Sequence, residues 1–231
     1  MRQLLNIKFI GLMGLISLLG LIGLAKLASA QSAPEFIVSW RAASYVPSDY
    51  QGKILPSKST AIEMGFDLID NGKIADLSRS QITWVTNNKE IKSGLGAKNA
   101  VISNNGSEQL IRVSVDYKNS FIEETFSIPS AKPEIIVDTK LSGNSLSLRD
   151  YMFSALPYFF NINNLSELLF SWSNNGKTIS GEAENPDILK ISLASEGLPQ
   201  KTSLNISASA SNLYNPLEMA GKSLNLIIES R

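Results

Sequence analysis

Two short stretches constrain this chain more than anything else in it: Ile82-Thr83-Trp84-Val85-Thr86-Asn87-Asn88 and Phe170-Ser171-Trp172-Ser173-Asn174-Asn175. Each is a run of β-favouring residues with one Trp at its centre. Asn residues that tolerate the left-handed backbone of a tight turn close it. A Trp in this setting reads as the inward anchor of a small β-sandwich, and its echo reads as a second unit of the same kind. Another echo agrees: Pro34-Glu35-Phe36-Ile37-Val38 and Pro133-Glu134-Ile135-Ile136-Val137 share Pro-Glu-apolar-Ile-Val. In both, Pro stands at a strand entrance, where no ladder donor is lost. The offsets differ, 172 − 84 for the Trp pair and 133 − 34 for the Pro-Glu pair, so the connections inside the two units differ in length. Both offsets exceed the period of about 20–50 residues found in solenoid repeats and fit tandem whole domains.

The remaining segments carry the same signal. Ile62, Met64, Phe66 and Leu68 alternate with polar neighbours, and Leu110 to Tyr117 alternates most cleanly. Phe121–Ile128, Leu165–Ser173, Ile188–Leu193, Ser203–Ser209 and Ser223–Glu229 read as further strands, with Asn-Gly turns at Asn71-Gly72 and Asn175-Gly176. Leu146, Leu148, Tyr151 and Phe153 suggest a strand across or beside Arg149-Asp150, and Ser93–Gly96 reads as a loose glycine loop. Helical spacing is confined to one possible turn near Pro216–Ala220. Many short strands bounded by turn signals make this an all-β chain of two tandem sandwiches. The expected boundaries are 31–130 and 131–231, meeting at the Pro-stiffened linker Pro129–Pro133.

Residues 1–30 read differently. A basic start with Arg2 and Lys8 precedes an uncharged run from Phe9 to Ala25, and Ala28-Ser29-Ala30 follows as a small-x-small cleavage pattern. This is a signal peptide that leaves Gln31 as the mature N-terminus, or an N-terminal membrane anchor if it is not cleaved. Either way the rest is extracytoplasmic: secreted, at the cell surface or membrane-anchored. The membrane would be engaged only through that segment. The leader holds three of the 21 bases and none of the 21 acids, so the mature part is mildly acidic, which argues against a nucleic-acid partner.

The chain has neither Cys nor His. It must hold its fold without disulfides. The commonest general base, the commonest metal ligand and every Ser-His-Asp or Cys-His arrangement are absent, and a zinc or copper site has no ligands to build on. Ser-x-x-Lys does not occur, and Gly94-Leu95-Gly96 lacks the following helix of a nucleotide loop. Glu123 and Glu124 fall on opposite faces of one strand and cannot face each other as a glycosidase pair. The expectation is no enzyme activity and no cofactor.

Trp84 with Gly94 and Gly96, and Trp172 with Gly176 and Gly181, resemble the pattern of bacterial immunoglobulin-like domains of the PKD or cadherin-like kind. The stretch from Ser39-Trp40-Arg41-Ala42 through Gly52-Lys53 to Asn71-Gly72-Lys73 is also similar to exported surface proteins of small-genome bacteria. The resemblance implies two immunoglobulin-like sandwiches in an adhesion, surface-scaffold or envelope-assembly role. It also brings loop calcium into consideration, for which Asp67, Asp70 and Asp76 are the weak candidates.

Trp84, Trp172, Val113, Val115 and Ile206 are the expected core. The aromatic run through Tyr158, Phe159 and Phe160 would overfill a single strand, so it is the candidate for packing against the first module or a partner, with the Tyr45–Tyr50 loop as the second. The resulting expectation is a non-enzymatic structural or binding module that contacts another envelope or surface protein. A carbohydrate-binding or glycan-acting domain and an anchored subunit of a surface appendage or secretion assembly are the alternatives.

Overall fold

The structure, a computed structural model, describes residues 33–139, 141, 143–147, 149–193 and 201–229. The segment read as a leader or anchor helix, 1–30, lies outside the described residues, as does Leu148. The regular secondary structure of the described residues is all strand, apart from one 3-10 turn at Leu165–Glu167. The first half runs β1 (Glu35–Ala42), β2 (Ala61–Asp70), β3 (Lys73–Ile74), β4 (Gln81–Thr86), β5 (Lys89–Leu95), β6 (Asn99–Ser103), β7 (Gln109–Tyr117) and β8 (Ser120–Ile128). The second half runs β9 (Glu134–Asp138), β10 (Ser145–Leu146), β11 (Asp150–Tyr158), β12 (Leu168–Asn174), β13 (Lys177–Ile179), β14 (Ile188–Ser192), β15 (Lys201–Asn212) and β16 (Met219–Glu229).

By contact the chain divides into two units: a small one up to Ile37 together with Asp67–Ala75, and a large one of Val38–Phe66 with the chain from Asp76 on. The small unit is built on the β2–β3 hairpin, with Ile69 opposite Ile74 and Asp70 opposite Lys73. Everything described below belongs to the large unit unless stated.

Strand order gives the architecture. In the first half β1, β2 and β6 share one sheet with β3, and the other sheet runs β5-β4-β7-β8. In the second half the sheets run β14-β11-β9 and β10-β16-β15-β12-β13. Each half thus puts its first, second and fifth principal strands in one sheet and its third, fourth, sixth and seventh in the other, which is the immunoglobulin-like order with the fourth strand paired to the third instead of the fifth. The Pro-Glu echoes open β1 and β9, and the two Trp residues sit on β4 and β12, the equivalent third strands.

Local chemistry sets the turns. Four hairpins close with two residues that both have positive φ: Asn71-Gly72, Asn87-Asn88, Lys118-Asn119 and Asn175-Gly176. This is the backbone twist that matches antiparallel strands, and Asn and Gly adopt it at low cost.

In the second half one apolar cluster fills the space between the sheets. Ile135, Phe153, Ala155 and Leu189 from one sheet meet Leu168, Trp172, Ile206, Ala208 and Leu226 from the other. In the first half Phe66 on β2 meets Trp84 on β4 edge to face, with ring centroids 5.6 Å apart. Ile82, Ile111, Val113 and Val115 are fully buried there. The two Trp residues are tied in the same way. The Trp84 indole N–H donates to the Ala97 carbonyl at 2.7 Å and that of Trp172 to the Pro186 carbonyl at 3.0 Å. Both acceptors lie in the connection that leads into the fifth principal strand. A buried indole N–H needs such a partner, because an unpaired one costs about 1–3 kcal/mol. Gly181 makes room for this tie in the second half: a Cβ there would stand 2.8 Å from the Pro186 carbonyl oxygen and 3.2 Å from Trp172 Cδ1.

Three local expectations need correction. Residues 93–95 are not loop but the end of β5, where pairing with β4 outweighs the weak strand preference of Gly94. Residues 219–220 are not a helical turn but the start of β16, with Met219 opposite Ser211 and Ala220 opposite Ala210. The single strand expected across or beside Arg149-Asp150 is two strands on different sheets: Leu146 lies on β10, parallel to β16, and Tyr151 and Phe153 lie on β11.

Candidate interaction surface

The β15–β16 connection differs between the halves. Its counterpart in the first half, β7 to β8, is the two-residue turn Lys118-Asn119. Here it is the longer segment Leu213-Tyr214-Asn215-Pro216-Leu217-Glu218, and its apolar side chains face outward. Leu217 is 92% exposed and Tyr214 81%, and Leu213 and Met219 are also exposed. The apolar surface continues onto the sheet, where Leu169 and Met219 stand directly opposite Ser211 from either side. Both are exposed. Scattered single apolar residues are ordinary on a soluble surface, whereas five exposed large ones on one loop and the strand positions next to it point to an interaction surface. The sheet face beyond them is small and polar. Ser171 and Gly221 flank Ser209, and Ser173 and Ser223 flank Ser207. Ser207 and Ser223 share a hydroxyl hydrogen bond of 2.8 Å.

A buried clasp holds this loop in shape. Glu218 is the one apparent misfit in the loop, a carboxylate only 7% exposed. Its Oε1 accepts from the Asn161 backbone N–H at 2.7 Å and from the Ser57 hydroxyl at 3.3 Å, and its Oε2 accepts from Asn212 Nδ2 at 2.7 Å. Asn212, also buried, donates a second hydrogen bond to the Asn161 carbonyl, and its Oδ1 accepts from the Tyr214 N–H at 2.9 Å. The backbone closes the ring: Asn212 N–H to Glu218 O, Glu218 N–H to Asn215 O, and Leu213 N–H to Glu167 O. A loop whose backbone is this fully bonded keeps its apolar side chains presented at little further ordering cost on binding.

The same clasp joins the halves. Ser57 lies in the connection 43–60 between β1 and β2, and it shares a buried polar cluster with Ser44 and Thr60. Asn104 supports that connection from β6's end, its Nδ2 donating to the Pro56 and Ser57 carbonyls and to Ser130 Oγ.

The five residues expected at a partner surface come together beside this clasp, against one another. Tyr45 and Phe160 form a two-stranded bridge, with Tyr45 N–H to Phe160 O and Phe159 N–H to Tyr45 O both at 2.7 Å. Tyr50 packs edge-on against Tyr158 and Phe159, at centroid distances of 5.7 and 5.9 Å. Phe160 is fully buried, and the other four are half-buried. The Phe159 backbone adopts φ 59°, which is unusual for a bulky residue and which the bridge to Tyr45 holds in place. Burial raises the phenol pKa of Tyr45, with the Asp187 carboxylate adding to the effect. Burial also raises that of Tyr158, helped by Asp49 and neighbouring charges.

The other candidates are placed as follows. Trp84, Val113, Val115 and Ile206 are 0% exposed and Trp172 1%. Asp67 and Asp70, three apart on β2, project to opposite faces of the strand. Asp76 closes its own turn by accepting from the Ser78 N–H at 2.9 Å. The Ser78 hydrogen bonds, aided by Arg79 and Lys98, hold its carboxyl below the usual range. Among the described residues no group of three or more acids is gathered so as to hold a metal ion.

The loop at Leu213–Glu218 was missed in the sequence because it reads as an interruption at Asn215-Pro216. The available signal was three large apolar residues inside a turn-forming stretch between two alternating strands.

No family model and no curated protein matches the chain. Among solved structures, domains 4 and 5 of the S-layer protein SbsC are 11% identical, covering 83% of this chain and 98% of that one, with a TM-score of 0.37. The fibronectin(III)-like modules of Clostridium thermocellum CbhA are 14% identical, covering 84% and 94%, with a TM-score of 0.31. A chimeric titin Z1Z2 is 12% identical, covering 87% and 100%, with a TM-score of 0.33. The fold assignment rests on the strand order of the chain itself.

Proposed function

We propose that this chain is an exported, non-enzymatic binding module of the cell surface or envelope, and that the loop Leu213–Met219 is its contact with a partner protein. The domain boundaries that go with this reading are 31–130 and 131–231, and export rests on the leader-like sequence of residues 1–30. The observation that carries the reading is the loop itself: apolar, exposed, longer than its counterpart in the first half, and braced from beneath by Glu218 and Asn212. Binding residues on a rigid scaffold commonly occupy such connections. A protein surface suits the loop better than a sugar. Sugars stack on flat aromatic rings, whereas four of the five exposed residues are aliphatic. Of the Trp residues, Trp84 and Trp172 are buried, and the Trp40 ring is covered by the Lys53 ammonium at 4.1 Å.

The test is capture from the native envelope with the wild-type chain and with a Tyr214→Ser/Leu217→Asp variant. The expected result is a partner retained by the wild type and lost by the variant at unchanged melting temperature. Equal capture by both would remove the loop from the binding site, and glycan in place of protein on the wild-type chain would reassign the ligand class.

A further inference from the structure

A second surface, independent of the loop, is left open by the way the first half is wired. In the second half the outer edge of β16, the last strand, is covered: β10 runs parallel to it, pairing Ser145 with Ile227 and Leu146 with Ile228. The equivalent strand of the first half, β8, pairs with β7 along its whole length, Gln109–Tyr117 against Ser120–Ile128. It ends the sheet order on its other side. The chain segment that supplies the covering strand in the second half is the connection between the first and second principal strands. In the first half this connection, 43–60, goes to the junction instead, through Tyr45 to Phe160 and Ser57 to Glu218. A nine-residue strand edge therefore stands unpaired among the described residues.

The side chains along that edge say what suits it. Ile122, Glu124 and Phe126 share the inward side, opposite Val115, Val113 and Ile111 of β7, while Phe121, Glu123 and Thr125 point outward. Glu123 and Glu124 are both exposed, and no ion pair engages either of them among the described residues. An inward-pointing charge on an edge strand is a guard against indiscriminate pairing. Here the guard has a sign. Two copies of β8 paired antiparallel about their centres would set Glu124 opposite Glu124, with Glu123 beside the pair, and like charges directly opposite destabilise a strand pair. A strand carrying Lys or Arg at those positions, with apolar residues beside Ile122 and Phe126, meets no such penalty.

We propose that the β8 edge accepts an extended cationic segment of a partner protein as an added strand, with apolar residues facing Ile122 and Phe126 and basic residues facing Glu123 and Glu124. Backbone hydrogen bonds along the edge supply affinity and the two carboxylates supply selectivity.

The test uses the full mature chain and two synthetic seven-residue peptides, Ser-Val-Thr-Lys-Lys-Val-Ser and its counterpart with Glu at both Lys positions, with backbone amide shifts as the readout. The expected result is saturable shifts confined to residues 120–128 with the Lys peptide, at least tenfold weaker binding of the Glu peptide, and reversal of that preference in Glu123→Lys/Glu124→Lys. Both substitutions lie on exposed positions, and an unchanged melting temperature confirms the fold of the variant. Equal binding of the two peptides, no saturable shift at millimolar peptide, or shifts centred on 213–219 would overturn the proposal. So would sedimentation showing a wild-type dimer that the Lys variant abolishes, since the edge would then belong to a second copy.

Discussion

Replacing Glu218 by Ala removes the acceptor beneath the β15–β16 loop and leaves its donors behind. Three donors reach the carboxylate: the Asn161 N–H, Asn212 Nδ2 and the Ser57 hydroxyl. Ser57 retains a hydroxyl partner in Thr60, 2.8 Å away, so two donors are stranded in a buried setting. Each unsatisfied buried donor costs about 1–3 kcal/mol. Part of this is recovered because a buried carboxylate no longer has to be desolvated, and because water can enter the space it leaves. The net expectation is a loss of about 2–4 kcal/mol. Glu218→Gln keeps one carbonyl acceptor but turns an NH₂ toward a donor, and should fall between the two. Urea unfolding of the full chain gives the stability change from the shift of midpoint at constant slope. Hydrogen exchange locates it, with the Asn161, Asn212 and Leu213 amides exchanging faster. As a control, Glu182, whose bridge to Lys190 is at the surface, should cost at most about 1 kcal/mol on conversion to Ala. If Glu218→Ala shifts stability no more than that control and leaves those amides unchanged, the clasp does not hold the loop and the reasoning fails.

The Trp ties make a matched prediction: Trp84→Phe and Trp172→Phe should each cost about 2–3 kcal/mol, from lost volume and an orphaned carbonyl at Ala97 or Pro186, read by thermal or urea unfolding. Gly181→Ala should destabilise by about 1–3 kcal/mol, because its Cβ would press on the Pro186 and Ile188 carbonyls, and a neutral result in the same assay would mean that this connection yields freely. Because burial raises the phenols of Tyr45 and Tyr158, the folded chain holds those protons more tightly than the unfolded one. Stability should hold below pH of about 10 and decline as pH rises through the folded values. Burial also pushes the Tyr151 phenol up, but hydrogen bonding with Ser147 and Arg149 outweighs it and lowers the pKa overall, so its effect runs the other way. The slope assigned to the junction is thus the difference between wild type and Tyr45→Phe/Tyr158→Phe in alkaline unfolding, and identical slopes would contradict it.

Much of the fold was legible because strands announce themselves through period two and turns through Asn and Gly. Thr60–Asp70, Leu110–Tyr117 and the Trp strands need no tertiary information to be read. The unequal offsets of the two echoes have their structural counterpart in the connection 43–60, which is longer than the path from β9 to β11. What local pattern could not show was pairing. Ser93-Gly94-Leu95 looks like loop until β4 lies beside it, and Leu146 and Tyr151 look continuous until the chain is seen to change sheets between them. The loop site escaped for a further reason. Glu218 is a charged residue in a turn, where exposure is the ordinary expectation, and only the convergence of Asn161, Asn212 and Ser57 from distant positions makes it a buried brace. The aromatic residues from Tyr45 to Phe160 could be picked out by composition, but their mutual packing is a property of the junction and not of any one segment.

The most direct test of the central claim is site-specific photocrosslinking in cells that make the protein, with the crosslinker placed in turn at Leu217, at Tyr214 and, for comparison, at Ser107 in a first-half turn. The account predicts a discrete protein adduct from Leu217 and Tyr214 and none from Ser107. Adducts of equal strength from all three positions, or from Ser107 alone, would contradict it.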